Sequence, residues 1–528
     1  MNLDNTARLR LLIFLTISMA YLAFAALFIW QSSIPFNGQR YFVLFDDMMI
    51  SMRHANNFAQ GFGLTWNRDG ERVEGMTNLL WTLYMSVPHL LKIPLPVTSL
   101  FMQMSGVLIL LSVLSSTWLL ARTLVPKRPF VWIVTALCAT FYIPLNFWTL
   151  LGAEVGLLAL LISASVILVC RSTRAEKPIL WRCAAYGTLA FATLVRLDAV
   201  VVYAALVSYV ILFELKTGAE RRREFITSAT LLALFLGAQT LFRLTYYGEW
   251  LPNTYYLKAT GTALTVPLAR GLEQAVRYLP LLIALILAAW RLPAIRLLVW
   301  LFSAQVAYSI YVGGDAWEHV WLMAANRYIT AAMPLAFVAL GIALSNLISR
   351  QRVSHLANAF VLIALLLSWA ALCVFAAGED DRRYMTDKSP LEVIAASFTF
   401  NMRERSFWRQ HRYMLEVAYW VSELTRPQAC IALTVAGIAS YFLPDHCMID
   451  ILGRNDKYIA RLAARSEQFY PGHNKWDYAH SLPKADAFQV WTTDGVDFNE
   501  WANTPLPDLK LRKGSPHVNW ERHAALGN

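Results

Sequence analysis

Charge is scarce in this chain. Asp, Glu, Lys and Arg together make up 15% of its 528 residues, against about 25% in soluble domains. With 57% hydrophobic residues and a mean hydropathy of +0.43, that scarcity excludes a soluble protein and implies an integral membrane protein with many spans. Acidic residues are the rarer sign, 35 against 46 Lys and Arg, so the net charge is +11. The basic residues fall in short loops between apolar runs. They are not gathered on one soluble face, which argues against a nucleic-acid partner. Cysteine is also sparse: six residues and no CxxC pair, which argues against a metal cluster or redox motif. Cys138, Cys170, Cys183 and Cys373 lie in or beside apolar runs, where packing is the default. Cys430 and Cys447 lie in a polar tail and can pair if that tail is exported. Internal repeats and low-complexity linkers are missing.

What the chain does have is a series of apolar runs, read as about eleven spans by length and hydropathy. They cover 11–30, 98–120, 130–149, 154–170, 183–197, 198–213, 226–245, 277–290, 296–312, 329–348 and 356–376. The first follows Arg8 and Arg10 and lacks a small-x-small cleavage site, so it reads as an uncleaved span. The fifth and sixth are short and meet at Arg196-Leu197-Asp198. They are either two helices broken at that polar point or one long tilted helix, which would invert everything downstream. Two helices put every short basic loop on one side, from Arg8 and Arg10 through Arg122–Arg128, Arg171–Arg182, Lys216–Arg223, Arg291–Arg296 and Arg350–Arg352. The positive-inside rule then sets the N-terminus in the cytoplasm and the C-terminus outside. The segment 77–91 is apolar but short, and reads as a juxtamembrane helix in the interface with its tryptophan at headgroup level.

The opposite side is different in kind. It gathers Asp46 and Asp47, Glu154, Arg196 and Asp198, the stretch LPNTYYLKATG with Asn253, Tyr255 and Lys258, and the loop GGDAWEHVWLMAANRY with Asp315, Trp317, Trp321 and Arg327. A tract as polar as VLFDDMMISMRHANNFAQGFGLTWNRDGERVEGMTNLLW cannot lie in lipid. Asp46 and Asp47 read as a helix start closed by Gly61, one capping and the other pointing out; a carboxylate at the membrane surface also serves as general base toward a hydroxyl. Lys258 is either a snorkelling lysine or a cation for a lipid phosphate. Arg327 is the better phosphate ligand, because guanidinium binds phosphate bidentately. Arg196 and Asp198 pair with each other in the plainer reading. Carboxylates to deprotonate an acceptor beside cations to hold a phosphate are what transfer from a phosphate-linked sugar needs.

From residue 378 the composition turns polar, leaving enough chain for one domain. A helix is expected over 410–426 and short buried strands over 429–435, 447–452 and 487–491, giving a small extracytoplasmic α/β domain at 378–528 behind a membrane domain at 1–377. The segment from Asp508 onward reads as a mostly exposed terminus.

These motifs carry a resemblance. Asp46-Asp47, Ile50, Arg53, Ala55, Asn57, Gly61-x-Gly63, Trp66-Asn67, Val73-Glu74-Gly75-x-Thr77-Asn78 and Trp81 resemble the first extracytoplasmic loop of GT-C glycosyltransferases. More narrowly they are similar to the mycobacterial terminal arabinofuranosyltransferase and its relatives. LPNTYYLK, GGD followed by Arg327, DILGRNDKYIAR and PGHNKWDY continue the likeness over most of the chain. It implies an α-helical polytopic GT-C fold in the bacterial cytoplasmic membrane, and inverting transfer from a polyprenyl-phosphate-linked sugar to an envelope glycan, glycolipid or protein. On its terms Asp46 and Asp47 are catalytic, and Lys258, Arg327 and Arg196 hold the donor phosphate. Arg53, Glu74, Asn78, Glu154, Asn253, Tyr255, Asp315 and Trp317 line the substrate. His54 and Met76 stand where this subgroup carries aromatic residues, so arabinofuranose itself is not carried over. Many such enzymes bind Mg2+, Mn2+ or Ca2+, but the sequence offers no unambiguous ligand set. A transporter or flippase for lipid-linked sugars, or an envelope scaffold, are the rival readings; a transporter would need paired discontinuous helices or two-fold repeats, and the sequence shows neither.

Overall fold

The computed structural model describes residues 5–318, 326–349, 406–465, 469–490, 501–503 and 509–525. The last expected span (356–376), Cys373 and Trp321 lie outside them. Six described helices are long and apolar enough to cross a membrane: Thr6–Ser32, Leu95–Leu124, Val155–Ser172, Pro178–Val195, Gly218–Tyr247 and Pro293–Tyr311. The expected span 130–149 is a bent pair, Pro129–Thr140 with Ile143–Leu150 at 48°. The expected span 277–290 is Leu279–Arg291, which follows Thr265–Ala275 at a bend of 78°. Two more expected spans are the shorter apolar helices Ala199–Glu214 and Met333–Leu347. The chain is a multi-pass membrane protein. The first bend corrects the expectation of an uninterrupted span. Backbone freed inside an apolar layer needs another partner, and at the first bend Asn146 supplies it, its amide donating to Thr140 O at 2.7 Å and Tyr142 O at 3.0 Å.

The break at Arg196 is present. Helix Pro178–Val195 ends on Arg196 in extended geometry (φ −159°, ψ 119°), and the next helix begins at Ala199. The Tyr186 and Tyr203 rings lie 6.0 Å apart; in one continuous helix these residues would stand about 25 Å apart.

The chain divides into two compact units, and the cut differs from the composition boundary at 378. The helical unit comprises Met1–Gln31, Met102–Gln239 and Pro267–Met402; the polar unit comprises Ser32–Phe101, Thr240–Val266 and Arg403–Asn528. The tract after the first span is too polar for lipid, so it packs with the tail. Trp66 Nε1 donates to Met448 O at 3.0 Å, and Asn67 Nδ2 reaches the same oxygen at 2.9 Å. Segment 77–91 forms the short helices Leu79–Met85 and Val87–Leu90. Trp81 is buried by protein there.

Within the polar unit a hairpin, β1 (Ile34–Phe36) and β2 (Gln39–Tyr41), turns on Asn37-Gly38, a two-residue pair suited to the turn. The tail folds into one sheet of β3 (Cys430–Leu433), β4 (Cys447–Asp450), β5 (Ala487–Gln489), β6 (Trp501–Asn503) and β7 (Lys510–Arg512), ordered β4-β3-β5-β7-β6. β3 pairs parallel with β4 and with β5; β7 pairs antiparallel with β5 and β6. Cys430 stands opposite Cys447 in register, and the two form a disulfide. Helix Ser406–Leu424 buries Leu415, Ala418 and Val421 on one stripe. The terminus is not mostly exposed: Leu509 and Leu511 are fully buried, because β7 is an interior strand of the sheet.

Candidate active site

Helix Asp46–Ala59 starts on the aspartate pair. Phe45 is its N-cap (φ −61°, ψ 145°) and no side chain caps it. The expected cap is therefore absent: both aspartates occupy the first turn, where the helix dipole favours negative charge. Their partners differ. Asp46 is buried, Oδ2 accepting from Gly437 N at 3.1 Å and Oδ1 from Ile438 N at 2.8 Å. It thereby caps another helix, Ile438–Phe442, which would otherwise present bare amides. Burial pushes the Asp46 carboxyl up to about 7, against the pull of those two amides. Asp47 faces a side chain instead, with Oδ1 at 3.0 Å from Arg454 Nη1.

Arg454 sits on a tightly held turn after β4. Its Nε donates to Gly75 O at 2.8 Å. Asp450 Oδ2 accepts from both Asn455 N (2.8 Å) and Asn455 Nδ2 (2.9 Å), and Oδ1 accepts from Leu452 N at 3.1 Å. His54 Nε2 meets Asn455 Oδ1 at 2.9 Å. Asn253 Nδ2 donates to the carbonyls of Gly453 and Arg454, each at 3.0 Å. Asn253 opens the short helix Asn253–Ala259 that carries Lys258, so one amide ties the Lys258 helix to the Arg454 turn.

Lys258 passes over the loop at Gly472. A Cβ there would lie 3.1 Å from Lys258 Cε, and its φ of +85° suits glycine. The next residue, His473, is half-buried and feels Asp47, Lys258 and Arg454 together. Burial lowers its basicity most, Asp47 raises it, and the two cations lower it further. Lys475 clamps the same segment, its Nζ donating to Tyr256 O at 2.9 Å and Ala460 O at 2.8 Å.

The polar unit thus brings Asp46, Asp47 and Lys258 into one neighbourhood with three residues given no role from sequence: Gly437, Arg454 and His473. The tail motifs DILGRNDKYIAR and PGHNKWDY were the signal for the last two.

Other expected substrate contacts are engaged by protein. Arg53 spends all five N–H groups: on Trp66 O (2.8 Å), Ser440 O, Leu443 O (3.0 Å), Asn67 Oδ1 (3.2 Å) and His446 O (2.8 Å). No donor remains for a ligand, which corrects its assignment. Glu74 is buried against Arg243, at 2.5 and 3.2 Å. Asn78 Oδ1 accepts from Ser51 Oγ at 3.3 Å and Thr82 Oγ1 at 3.0 Å. Tyr255 is exposed, its ring edge-on to Tyr256.

The helical unit holds its own polar cluster. Arg327 Nε lies 2.9 Å from Asp315 Oδ2, and its guanidinium stacks over Trp148 at 5.0 Å. Arg196 Nε lies 2.8 Å from Asp198 Oδ1, its Nη1 3.5 Å from Glu154 Oε1, and it covers the Tyr328 ring at 4.7 Å. The plain pairing of Arg196 with Asp198 is what the structure shows. Trp317 is buried, its main-chain N–H donating to Asp315 Oδ1 at 3.2 Å. Glu318, passed over in the sequence, is pushed up to about 7 by burial and accepts from Asn326 Nδ2 at 3.0 Å. Among the described residues no three His, Cys, Asp or Glu converge as metal ligands.

Comparison with known proteins places the fold. The structure is similar to ArnT from Cupriavidus metallidurans in the apo state, with TM-score 0.50 and 13% identity over 81% of this chain and 85% of that one. ArnT bound to undecaprenyl phosphate gives 0.49 and 12% over 83% and 85%. The Archaeoglobus fulgidus oligosaccharyltransferase in complex with Zn and sulfate gives 0.48 and 10% over 84% of this chain, which spans 63% of that protein. Residues 401–519 match a domain of unknown function, DUF8728. No curated protein matches the sequence. At these identities the likeness is one of architecture: a helical GT-C membrane fold with a small C-terminal sheet.

Proposed function

We propose that the chain is an inverting glycosyltransferase. It moves a sugar, arabinofuranose or another pentose or hexose, from a polyprenyl-phosphate donor to an envelope glycan, glycolipid or protein on the outer face of the bacterial cytoplasmic membrane. The carrying observation is the gathering of Asp47, Lys258, Arg454 and His473 around one point of the polar unit. The GT-C architecture agrees with the reading but does not carry it, since fold alone does not imply function.

Asp47 is assigned as general base, because both Asp46 oxygens already accept main-chain amides. As Asp47 takes the proton, the acceptor hydroxyl oxygen bonds to the anomeric carbon from the face opposite the phosphate. The bond from that carbon to the phosphate oxygen breaks and its electron pair leaves with the polyprenyl phosphate. One displacement inverts the centre. The departing phosphate needs charge stabilisation more than a proton, and Lys258 is the cation assigned to it. Arg327, beside Asp315, and Arg196, beside Asp198, are the other candidates.

The test is transfer of labelled sugar from polyprenyl phosphate by purified protein. Asp47→Asn is expected to lower kcat by about 100-fold or more with folding unchanged. Undiminished transfer by a folded Asp47→Asn protein overturns the base assignment. The two bent helix pairs favour a second reading, a flippase for lipid-linked sugars. Movement of labelled lipid between leaflets without any glycosidic bond formed selects it.

A further inference from the structure

β3 and β4 run parallel and in register, Cys430 opposite Cys447 and Leu433 opposite Asp450, so both chains leave the sheet at the same edge. In parallel sheets that edge is where ligands are bound. Here the turns beyond it hold the chain's own aspartate pair. The turn after β3 ends in the Gly437 and Ile438 amides on Asp46. The turn after β4, fixed by Asp450 and Asn455, ends in the Arg454 guanidinium on Asp47.

We infer that the C-terminal sheet is the positioning device of the aspartate pair: β3 anchors Asp46 through main-chain amides, and β4 sets Asp47 through Arg454. This rests on the glycosyl-transfer reading above. Neighbours on a helix project about 100° apart. Locking the Asp46 carboxylate against β3 therefore fixes the direction in which Asp47 points. Gly437 makes the close approach possible. Its φ of −78° is open to any residue, but a Cβ would collide with the Asp46 carbonyl oxygen and lie 2.7 Å from its Cγ. Space, not backbone freedom, calls for glycine there. Arg454 in turn is held by Gly75 O and by the Asn253 amide on its carbonyl. Its guanidinium sits at one place beside Asp47 and favours the carboxylate form. Asp46, Gly437 and Arg454 are positioning residues, acting through Asp47.

The experiment uses the full chain and two readouts. First, Arg454→Gln is expected to lower kcat by about tenfold with donor KM little changed, and to move the acid limb of the pH profile upward. An arginine beside a carboxylate lowers its pKa by about 1–3, and that influence is lost; Arg454→Lys restores most of the limb. Second, hydrogen exchange of the peptide spanning 434–442 is followed without any substrate. Asp46→Asn keeps one accepting oxygen and loses the other, so one of the two amides should exchange at least tenfold faster. Gly437→Ala should expose both, and a melting curve confirms that each variant is folded. An unchanged acid limb in Arg454→Gln, or unchanged exchange in both variants, overturns the inference. Faster exchange in a protein whose wild type transfers no sugar supports the positioning contacts and overturns the reaction reading instead.

Discussion

Asp46 and Asp47 are adjacent, yet their surroundings divide their work. Asp46 has exchanged water for two backbone amides and a buried position, and burial dominates, pushing its carboxyl up to about 7. Unfolded, an aspartate titrates near ~3.9. A carboxyl raised in the folded state contributes stability that is full below about pH 4 and is lost as pH rises through about 7. The melting temperature of the wild type should therefore fall between pH 5 and pH 8, and Asp46→Asn, which cannot ionise, should flatten that slope. Equal slopes in the two proteins would show that the charge on Asp46 is not buried at a cost. The pair itself was legible in the sequence, as an acidic spot in a chain poor in acid. Its division was not, because the groups that decide it are 391 and more positions away. Arg53 shows the same limit in reverse. A conspicuous arginine in the polar tract looked like a ligand for substrate, whereas the fold surrounds it with carbonyl oxygens.

Elements were read best where their residues repeat a pattern. The short apolar runs beginning at Ala429, Cys447 and Ala487 became β3, β4 and β5 within a residue at the start of each. β7 was missed because Leu509 and Leu511 alternate with charged residues in a stretch only three residues long. The helical break was found through Arg196-Leu197-Asp198, since ionisable residues rarely sit mid-span; the bend near Tyr142 was missed, although Pro144 in the first turn of Ile143–Leu150 marks it. The disulfide belongs to this scale. It joins the first residues of β3 and β4 across a sequence separation of 17, and a loop of that size is worth about 3 kcal/mol by the chain-entropy account. Cys430→Ser is expected to lower the stability of the polar unit by that order, measured by denaturant unfolding, and reduction of the wild type should reproduce the loss. A variant as stable as the oxidised wild type would mean that the strands hold their register without the bond.

For the whole molecule, the composition argument was sound, and the compact units divide the chain elsewhere than at 378. Scarce charge and long apolar runs gave a polytopic helical protein, and the structure has one. The polar tract after the first span was assigned to the membrane domain by its place in the chain, but it is packed with the tail. Sequence order does not reveal which distant segments satisfy each other's buried polar groups. We propose the orientation from charge. With separate helices at Pro178–Val195 and from Ala199, every short basic loop read from the sequence falls on one side, and the positive-inside rule assigns that side to the cytoplasm. The Cys430–Cys447 disulfide points the same way, because such bonds persist in oxidising compartments. The two arguments are independent: one counts Lys and Arg in loops up to Arg352, the other uses a bond in the tail. A phosphatase that folds only where its own disulfides form can read the result. Fused after Arg174 or Arg221 it should be inactive, and fused after Thr262 or at the C-terminus it should be active. One long helix in place of the broken pair would reverse the last three signals and leave the first unchanged. Activity after Arg221 together with silence after Thr262 would therefore refute the break as a membrane turn, and with it the outward face on which Asp47 is proposed to meet a lipid-linked sugar.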